Sequence, residues 1–64
     1  MRRVGIIGCG AIGTIIAQAA ERRIVECDEL VLYDHDNEKA ERLKESLRFP
    51  TTIVQSLDGM IRRS

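Results

Sequence analysis

Three glycines at the spacing G-x-G-x-x-G are the residues in this sequence whose pattern points most directly to chemistry: Gly8, Gly10 and Gly13. In this pattern the first glycine permits a tight turn, the second lets a phosphate approach the backbone, and the third allows close helix packing. A helix amino terminus offers unpaired N–H groups and the positive end of a dipole to an anion. The loop therefore predicts a pyrophosphate site, with the N–H groups of Ala11 and Ile12 as the expected donors. The alternative is a glycine turn that serves packing alone.

An acid follows the second apolar run of the chain, at Asp34. A carboxylate there can accept hydrogen bonds from both hydroxyls of an adenine ribose, and it would repel the 2′-phosphate of NADP. Because His35 rather than an arginine comes next, the pattern predicts NAD, with NADP less favoured. We expect His35 either close to the adenine or as an exposed turn residue. An ordinary turn acid is the alternative for Asp34, and Asp36 is better explained as a helix cap.

The two cysteines occupy very different positions, Cys9 inside the glycine loop and Cys27 ahead of the second strand. Two are too few for a metal site, and a disulfide at Cys9 would block ligand approach, so we expect reduced thiols in a cytoplasmic protein. A helix amino terminus favours a lowered pKa for the Cys9 thiol. A small filler side chain is nevertheless the simpler interpretation. No catalytic triad, acid–base pair or metal cluster is evident, so no catalytic residue is assigned.

The order of apolar runs and helical patterns predicts alternating strands and helices. The predicted strands are 2–7, 30–33 and 51–54, and the predicted helices are 11 to 22 or 23, 37–47 and 57–63. In the first helix an apolar stripe is expected to face the sheet: Ile12, Ile15, Ile16 and Ala19. Asp36 and Ser56 are the predicted caps of the second and third helices.

These elements predict an α/β fold, half of a Rossmann βαβαβ unit with a three-stranded parallel sheet in the order 3-2-1 and right-handed crossovers. Nucleotide-binding domains of this type are usually about 100–150 residues long. We therefore expect residues 1–64 to be a partial NAD(P)-binding domain, truncated before strand four and without a catalytic domain. The first strand should then be an exposed apolar edge. It is expected to pair with the absent carboxyl-terminal part of a parent chain or with a second copy.

The charge balance gives no reason to expect nucleic acid or an anionic membrane as a partner. Ten basic residues oppose ten acidic residues, and one Tyr and one Phe are the only aromatic side chains. No apolar run is long enough for a transmembrane helix. The glycines interrupt the only run that imitates an export signal, which again favours the cytoplasm.

The chain resembles the aspartate dehydrogenase family, with homoserine dehydrogenase-like relatives as close alternatives. The resemblance rests on residues 8–13 (GCGAIG), 32–36 (LYDHD), 38–40 (EKA) and 56–58 (SLD). It implies an NAD(P)-binding domain followed by a separate catalytic and dimerising domain, and NAD(P)-linked conversion of L-aspartate to iminoaspartate. His35 replaces a residue that is often basic in the family, and Gly59 replaces an acidic one. No catalytic residue can be carried over to these 64 residues.

Two other interpretations of the whole chain stay open. It could be a stand-alone dinucleotide-binding module, which would use the same loop and Asp34 without any chemistry. It could also be an inactive fragment. Binding of nucleotide by the isolated chain would separate the first of these from the second.

Overall fold

The computed structural model describes residues 2–63 and contains all six predicted elements. In chain order they are β1 (Arg3–Ile7), α1 (Ala11–Glu21), β2 (Glu29–Tyr33), α2 (Asn37–Ser46), β3 (Thr51–Ile53) and α3 (Leu57–Arg63). The differences from the sequence prediction are one or two residues at element ends. Such differences are expected because helix and strand ends fray.

The three strands form one parallel sheet in the order β1-β2-β3, which confirms the predicted 3-2-1 arrangement. Pairing runs from Arg3 opposite Glu29 to Ile7 opposite Tyr33. All three strands therefore end at the same edge of the sheet. The glycine loop after β1 and the acid after β2 consequently start from neighbouring positions.

The central strand β2 separates two hydrophobic clusters. Leu30 and Leu32 belong to the cluster formed with α1 and α2, whereas Val31 packs with Met60 of α3 on the opposite face. All three β2 residues are fully buried. A parallel strand that is covered on both faces typically has a continuous run of apolar residues, and the sequence L-V-L of β2 shows this pattern.

The contact face of α1 differs from the prediction. The predicted stripe is largely exposed, with 76% of Ile12, 64% of Ile15 and 39% of Ile16 accessible to solvent. The helix instead turns its smallest residues to the sheet: Gly13, Ala17 and Ala20. The prediction was wrong because α1 lies too close to the sheet for large side chains. A Cβ on Gly13 would lie 2.2 Å from the carbonyl oxygen of Gly8.

The first strand is an edge of the sheet, as expected from the strand order. A nearly continuous β-branched run such as that of β1 is typical of a strand buried on both faces, but β1 is not buried in this way. Ile6 is buried, but Ile7 is 66% exposed and Val4 is only partly covered. The second face of β1 is open because α3 packs over β2 and the end of β3 instead.

The starts of α2 and α3 are capped as the sequence predicts. The Asp36 carboxylate accepts a hydrogen bond from the Glu38 N–H at 3.1 Å, and the Ser56 hydroxyl accepts one from the Gly59 N–H at 3.0 Å. Each cap satisfies a donor that the first turn of a helix leaves without a partner.

Candidate dinucleotide-binding site

The glycine loop leaves β1 through a turn that only glycine adopts easily. Gly8 has φ +92°, a conformation that costs an L-residue with a Cβ steric energy. Its N–H donates to the Tyr33 carbonyl at 2.8 Å and so extends the pairing of β1 with β2 by one residue. The turn therefore fixes the position at which the chain departs from the sheet.

Gly13 and Gly10 are glycines for different reasons. A Cβ on Gly13 would clash with the Gly8 carbonyl and would crowd Ile6 at 3.1 Å, so packing excludes any larger residue there. Gly10 has φ −83°, which other residues adopt readily, and a Cβ there would meet nothing within 4 Å. The protein itself therefore gives no reason for glycine at position 10. The space beside Gly10 is open to a ligand.

The amino terminus of α1 is not capped by any side chain. Gly10 occupies the N-cap position, and the first turn contains no acidic residue. Thr14, which the sequence analysis did not select, directs its hydroxyl to the Gly10 carbonyl at 2.8 Å. The predicted donors, the N–H groups of Ala11 and Ile12, lie in this uncapped first turn. Such a terminus suits an anion because of its free donors and its dipole.

Asp34 is attached directly to the glycine loop. One oxygen of its carboxylate accepts the Cys9 N–H at 2.8 Å, and the other accepts the Asp36 N–H at 2.9 Å. The side chain is only 8% exposed. The structure thus brings together the loop and the acid that the sequence analysis selected separately. A carboxylate has about four lone-pair sites, so two remain for further donors.

The hydrogen bonds to Asp34 also affect its titration. The Cys9 N–H, followed by the Asp36 N–H, lowers the pKa of the Asp34 carboxyl; burial opposes this effect, and His35 and Lys39 support it. The ionised carboxylate therefore stabilises the folded chain above the unfolded-state pKa. That stability is lost as the pH falls through the lower folded-state pKa.

Two other predicted site residues lie close to this carboxylate. The His35 side chain is 93% exposed, and its Nδ1 lies 3.5 Å from the nearer Asp34 oxygen. Cys9 is buried, and its pKa is raised, first by burial and then by the negative charge of Asp34. The expected lowering of this thiol pKa was wrong, because burial and the nearby Asp34 charge both disfavour the thiolate. Cys9 and Cys27 are both free thiols.

A groove between α1 and α2 adds residues that the sequence analysis did not select. It has a volume of about 240 Å³ and is lined by Cys9, Thr14, Lys39, Arg42, Leu43 and Ser46. Two of these side chains are cationic, and Lys39 is close enough to lower the pKa of Asp34. The sequence feature that could have identified them is the spacing of Lys39 and Arg42 at i and i+3, which places both cations on one side of the helix. The groove places positive charge beside the glycine loop.

Another cavity lies at the opposite end of the sheet. It has a volume of about 440 Å³ and is lined by Arg2, Arg23, Glu26, Cys27 and Asp28. Arg2 and Asp28 precede β1 and β2, so this cavity is at the amino ends of the strands, away from the glycine loop. Within residues 2–63 no cluster of His, Cys, Asp and Glu could hold a metal ion. No helix of that part is long and apolar enough to cross a membrane.

The parallel sheet, the glycine turn into α1 and the acid after β2 define half of a Rossmann-like α/β unit. The chain is similar to the amino-terminal part of L-aspartate dehydrogenases. It is 36% identical over 62 residues to that of Methanococcus maripaludis (strain C5), covering 95% of this chain and 22% of the relative. The protein of the same name from Methanococcoides burtonii is 35% identical over 62 residues, covering 97% of this chain and 23% of the relative.

The chain thus spans about a fifth of the length of the curated relatives it matches. No protein-family model and no solved structure matches it. The similarity concerns the region that contains the glycine loop and Asp34.

Proposed function

We propose that this chain binds the adenosine diphosphate half of NAD, as the cofactor-binding part of an oxidoreductase of the L-aspartate dehydrogenase type. The observation that carries the proposal is Gly10, where neither backbone conformation nor packing calls for glycine. A diphosphate approaching the uncapped start of α1 would require the absence of a Cβ at this position.

In this proposal the diphosphate accepts hydrogen bonds from the N–H groups of Ala11 and Ile12. The adenine ribose donates its two hydroxyls to Asp34, whose carboxylate is held in place by Cys9 and Asp36. Pre-organisation of this kind lowers the cost of ordering the site on binding. His35 lies beside the carboxylate at the surface, where it can contact the adenine.

The reaction of the whole enzyme would be the oxidation of L-aspartate to iminoaspartate, with hydride transfer to NAD. The name of the relatives and the resemblance of the motifs support this assignment. The present residues would bind and orient the cofactor, and no residue among them is assigned to the chemical step. A cytoplasmic location, where thiols stay reduced, fits the two free cysteines.

Calorimetric titration with ADP-ribose tests the binding proposal directly. Binding by the folded 64-residue chain supports it, and Gly10→Ala should weaken that binding at least tenfold while the circular dichroism spectrum is unchanged. A chain that is folded but does not bind ADP-ribose would contradict the proposal. An in-frame continuation of the gene beyond Ser64 would favour the larger enzyme over the alternative, a dinucleotide-binding module without catalysis.

The preference for NAD over NADP is tested by comparing ADP with 2′,5′-ADP. Because the fixed Asp34 carboxylate would repel a 2′-phosphate, we expect 2′,5′-ADP to bind at least tenfold more weakly. Asp34→Ala combined with His35→Arg should narrow or invert the preference, since arginine forks onto phosphate. Equal affinities in the unchanged protein would show that Asp34 does not face the ribose.

The ammonium group of Lys39 is expected to reduce the preference for ADP over 2′,5′-ADP. A variant at Lys39 is therefore a control for the variants at Asp34 and His35. This ammonium group favours the charged form of Asp34 and would also attract a 2′-phosphate. Lys39→Gln should therefore increase the discrimination against 2′,5′-ADP and leave the affinity for ADP almost unchanged. The opposite result would place the ribose away from the groove between α1 and α2.

A further inference from the structure

The glycine loop and Asp34 begin at the same level of the sheet. The last paired residues of β1 and β2 are Ile7 and Tyr33. Gly8 and Asp34 are the next residue of each chain, and the Asp34 carboxylate accepts the Cys9 N–H at 2.8 Å. A ligand with its diphosphate on the loop and its ribose on Asp34 would therefore lie along the carboxyl edge of the sheet, from β1 toward β2.

Gln55 holds the corresponding position after β3. Leu32 pairs with Ile53, and the Val54 N–H donates to the Leu32 carbonyl at 2.9 Å, so β3 keeps its register one residue beyond its end. The next step in this register places Gln55 beside Asp34, and adjacent strands are about 4.8 Å apart. The glycine loop, the acid and Gln55 thus follow one another in the order of the three strands.

The base of a nucleotide bound in this way extends to the side of β3. The diphosphate arm leaves the ribose at C4′ and the base leaves it at C1′, and these two atoms lie on opposite sides of the ring oxygen. With the arm directed to the glycine loop and the ribose hydroxyls on Asp34, the base points away from β1. The side chains on that side belong to the start of α2 and to the chain that follows β3.

Two carboxamides meet on this side. The Gln55 Nε2 donates to the Asn37 Oδ1 at 3.3 Å, and both residues are exposed, so a ligand can reach them. Because the nitrogen of the Gln55 carboxamide is directed to Asn37, its oxygen is presented as the acceptor for a ligand. An acceptor suits the exocyclic N6 amino group of adenine, which donates. It opposes the O6 atom of a 6-oxopurine such as guanine, which accepts.

The bond to Asn37 is what allows Gln55 to discriminate. A free carboxamide would serve both kinds of base, because rotation about its last torsion exchanges oxygen and nitrogen. We propose that Gln55, oriented by Asn37, makes the site selective for adenine over 6-oxopurines, an inference that rests on the proposed binding of the adenosine diphosphate half. Stacking on the ring of His35 would add affinity for any base without this discrimination.

Calorimetric titration with ADP and with inosine diphosphate (IDP) tests the selectivity, because IDP carries an oxygen where adenine carries its amino group. We expect ADP to bind about tenfold more tightly, the effect of one hydrogen bond kept or lost. Gln55→Ala removes the acceptor and should reduce the ratio of the two dissociation constants to less than about threefold. Gln18→Ala is the matched control, since Gln18 is an exposed glutamine about two turns along α1 from the glycine loop. It should leave the ratio unchanged.

Two variants of Asn37 test the orientation of Gln55. Asn37→Asp keeps an acceptor that cannot exchange with a donor, so the ratio should remain about tenfold or rise. Asn37→Ala releases the Gln55 carboxamide, so the ratio should fall as it does in Gln55→Ala. Circular dichroism of each variant confirms that the compared chains are folded.

Equal affinities for ADP and IDP in the unchanged protein would overturn the selectivity and leave the proposed dinucleotide site intact. A ratio that Gln55→Ala does not change would overturn it too, including the case in which both affinities fall alike. That case is the one expected if the bond between Asn37 and Gln55 only ties α2 to the chain after β3. A folded chain that binds neither nucleotide would contradict the proposed function together with the selectivity.

Discussion

The helices α1 and α2 have nearly the same length, eleven and ten residues, and both pack on the same face of the sheet. The residues at their ends are nevertheless different. The second helix is capped by Asp36, has Glu38 in its first turn and Lys44 in its last. The first helix has no side-chain cap, no acid in its first turn and no base in its last turn.

Their outer surfaces differ as well. The exposed side of α2 is polar, and the Glu38 and Arg42 side chains form an ion pair at 2.8 Å. The exposed side of α1 instead carries large isoleucines. One helix is thus stabilised by its own residues at the ends and on the outside, whereas the other leaves donors and apolar surface uncovered. The missing cap at the start of α1 fits the proposal that a diphosphate binds there.

The largest effect is expected from Gly13→Ala. The added methyl group meets the Gly8 carbonyl, a backbone atom that cannot rotate away, so unfolding free energy should fall by about 3 kcal/mol. Urea denaturation measures the change. Gly10→Ala is the control, because its Cβ meets nothing and the cost should stay below about 1 kcal/mol. Equal stability of the two variants would mean that α1 does not lie close to the turn.

Giving α1 the kind of cap that α2 already has should separate stability from binding. In Gly10→Asp the carboxylate can accept the N–H groups of the first turn and favours the helix dipole, so stability should be unchanged or higher. Affinity for ADP-ribose should fall at least a hundredfold because a negative charge then occupies the phosphate position. Gly10→Asn caps the helix without that charge, so its affinity for ADP-ribose should fall less. Similar calorimetric affinities for Gly10→Asp and the unchanged chain would contradict the proposed site.

Removing the cap of α2 tests the other side of the comparison. Asp36→Ala eliminates the bond to the Glu38 N–H and should lower the unfolding free energy by about 1 kcal/mol. Asp36→Asn keeps an acceptor oxygen and should remain close to the unchanged protein. If the two variants lose the same unfolding free energy in thermal and urea unfolding, the hydrogen bond from the Glu38 N–H does not account for the loss.

The smallest effect belongs to the exposed ion pair of α2. Glu38→Gln should reduce stability by only about 0.3–0.5 kcal/mol, since both side chains are mostly exposed and solvent screens them. A double-mutant cycle with Arg42→Gln at low and high salt measures the coupling. A coupling above about 1 kcal/mol that does not respond to salt would show that this surface is less exposed than the structure indicates.

Much of the fold follows from local features of the sequence. The β-branched run ahead of Gly8 identifies the first strand, and Asp36 and Ser56 identify the starts of two helices because their side chains accept hydrogen bonds from the first turn. The alternation of strands and helices determines a parallel sheet, since parallel strands need crossover connections. The spacing of the three glycines identifies the turn and the helix that follows it.

Only the tertiary structure decided which face of α1 is buried. A helical pattern of isoleucines indicates an apolar face. It does not show that α1 packs on the sheet through its small residues Gly13 and Ala17, so that the isoleucine face stays exposed to solvent. The bond between Asp34 and the Cys9 N–H likewise joins residues 25 positions apart, and burial beside that carboxylate raises the thiol pKa. These properties depend on distances between elements. Hydrophobic periodicity and local propensity describe each element separately, so they do not predict properties that depend on these distances.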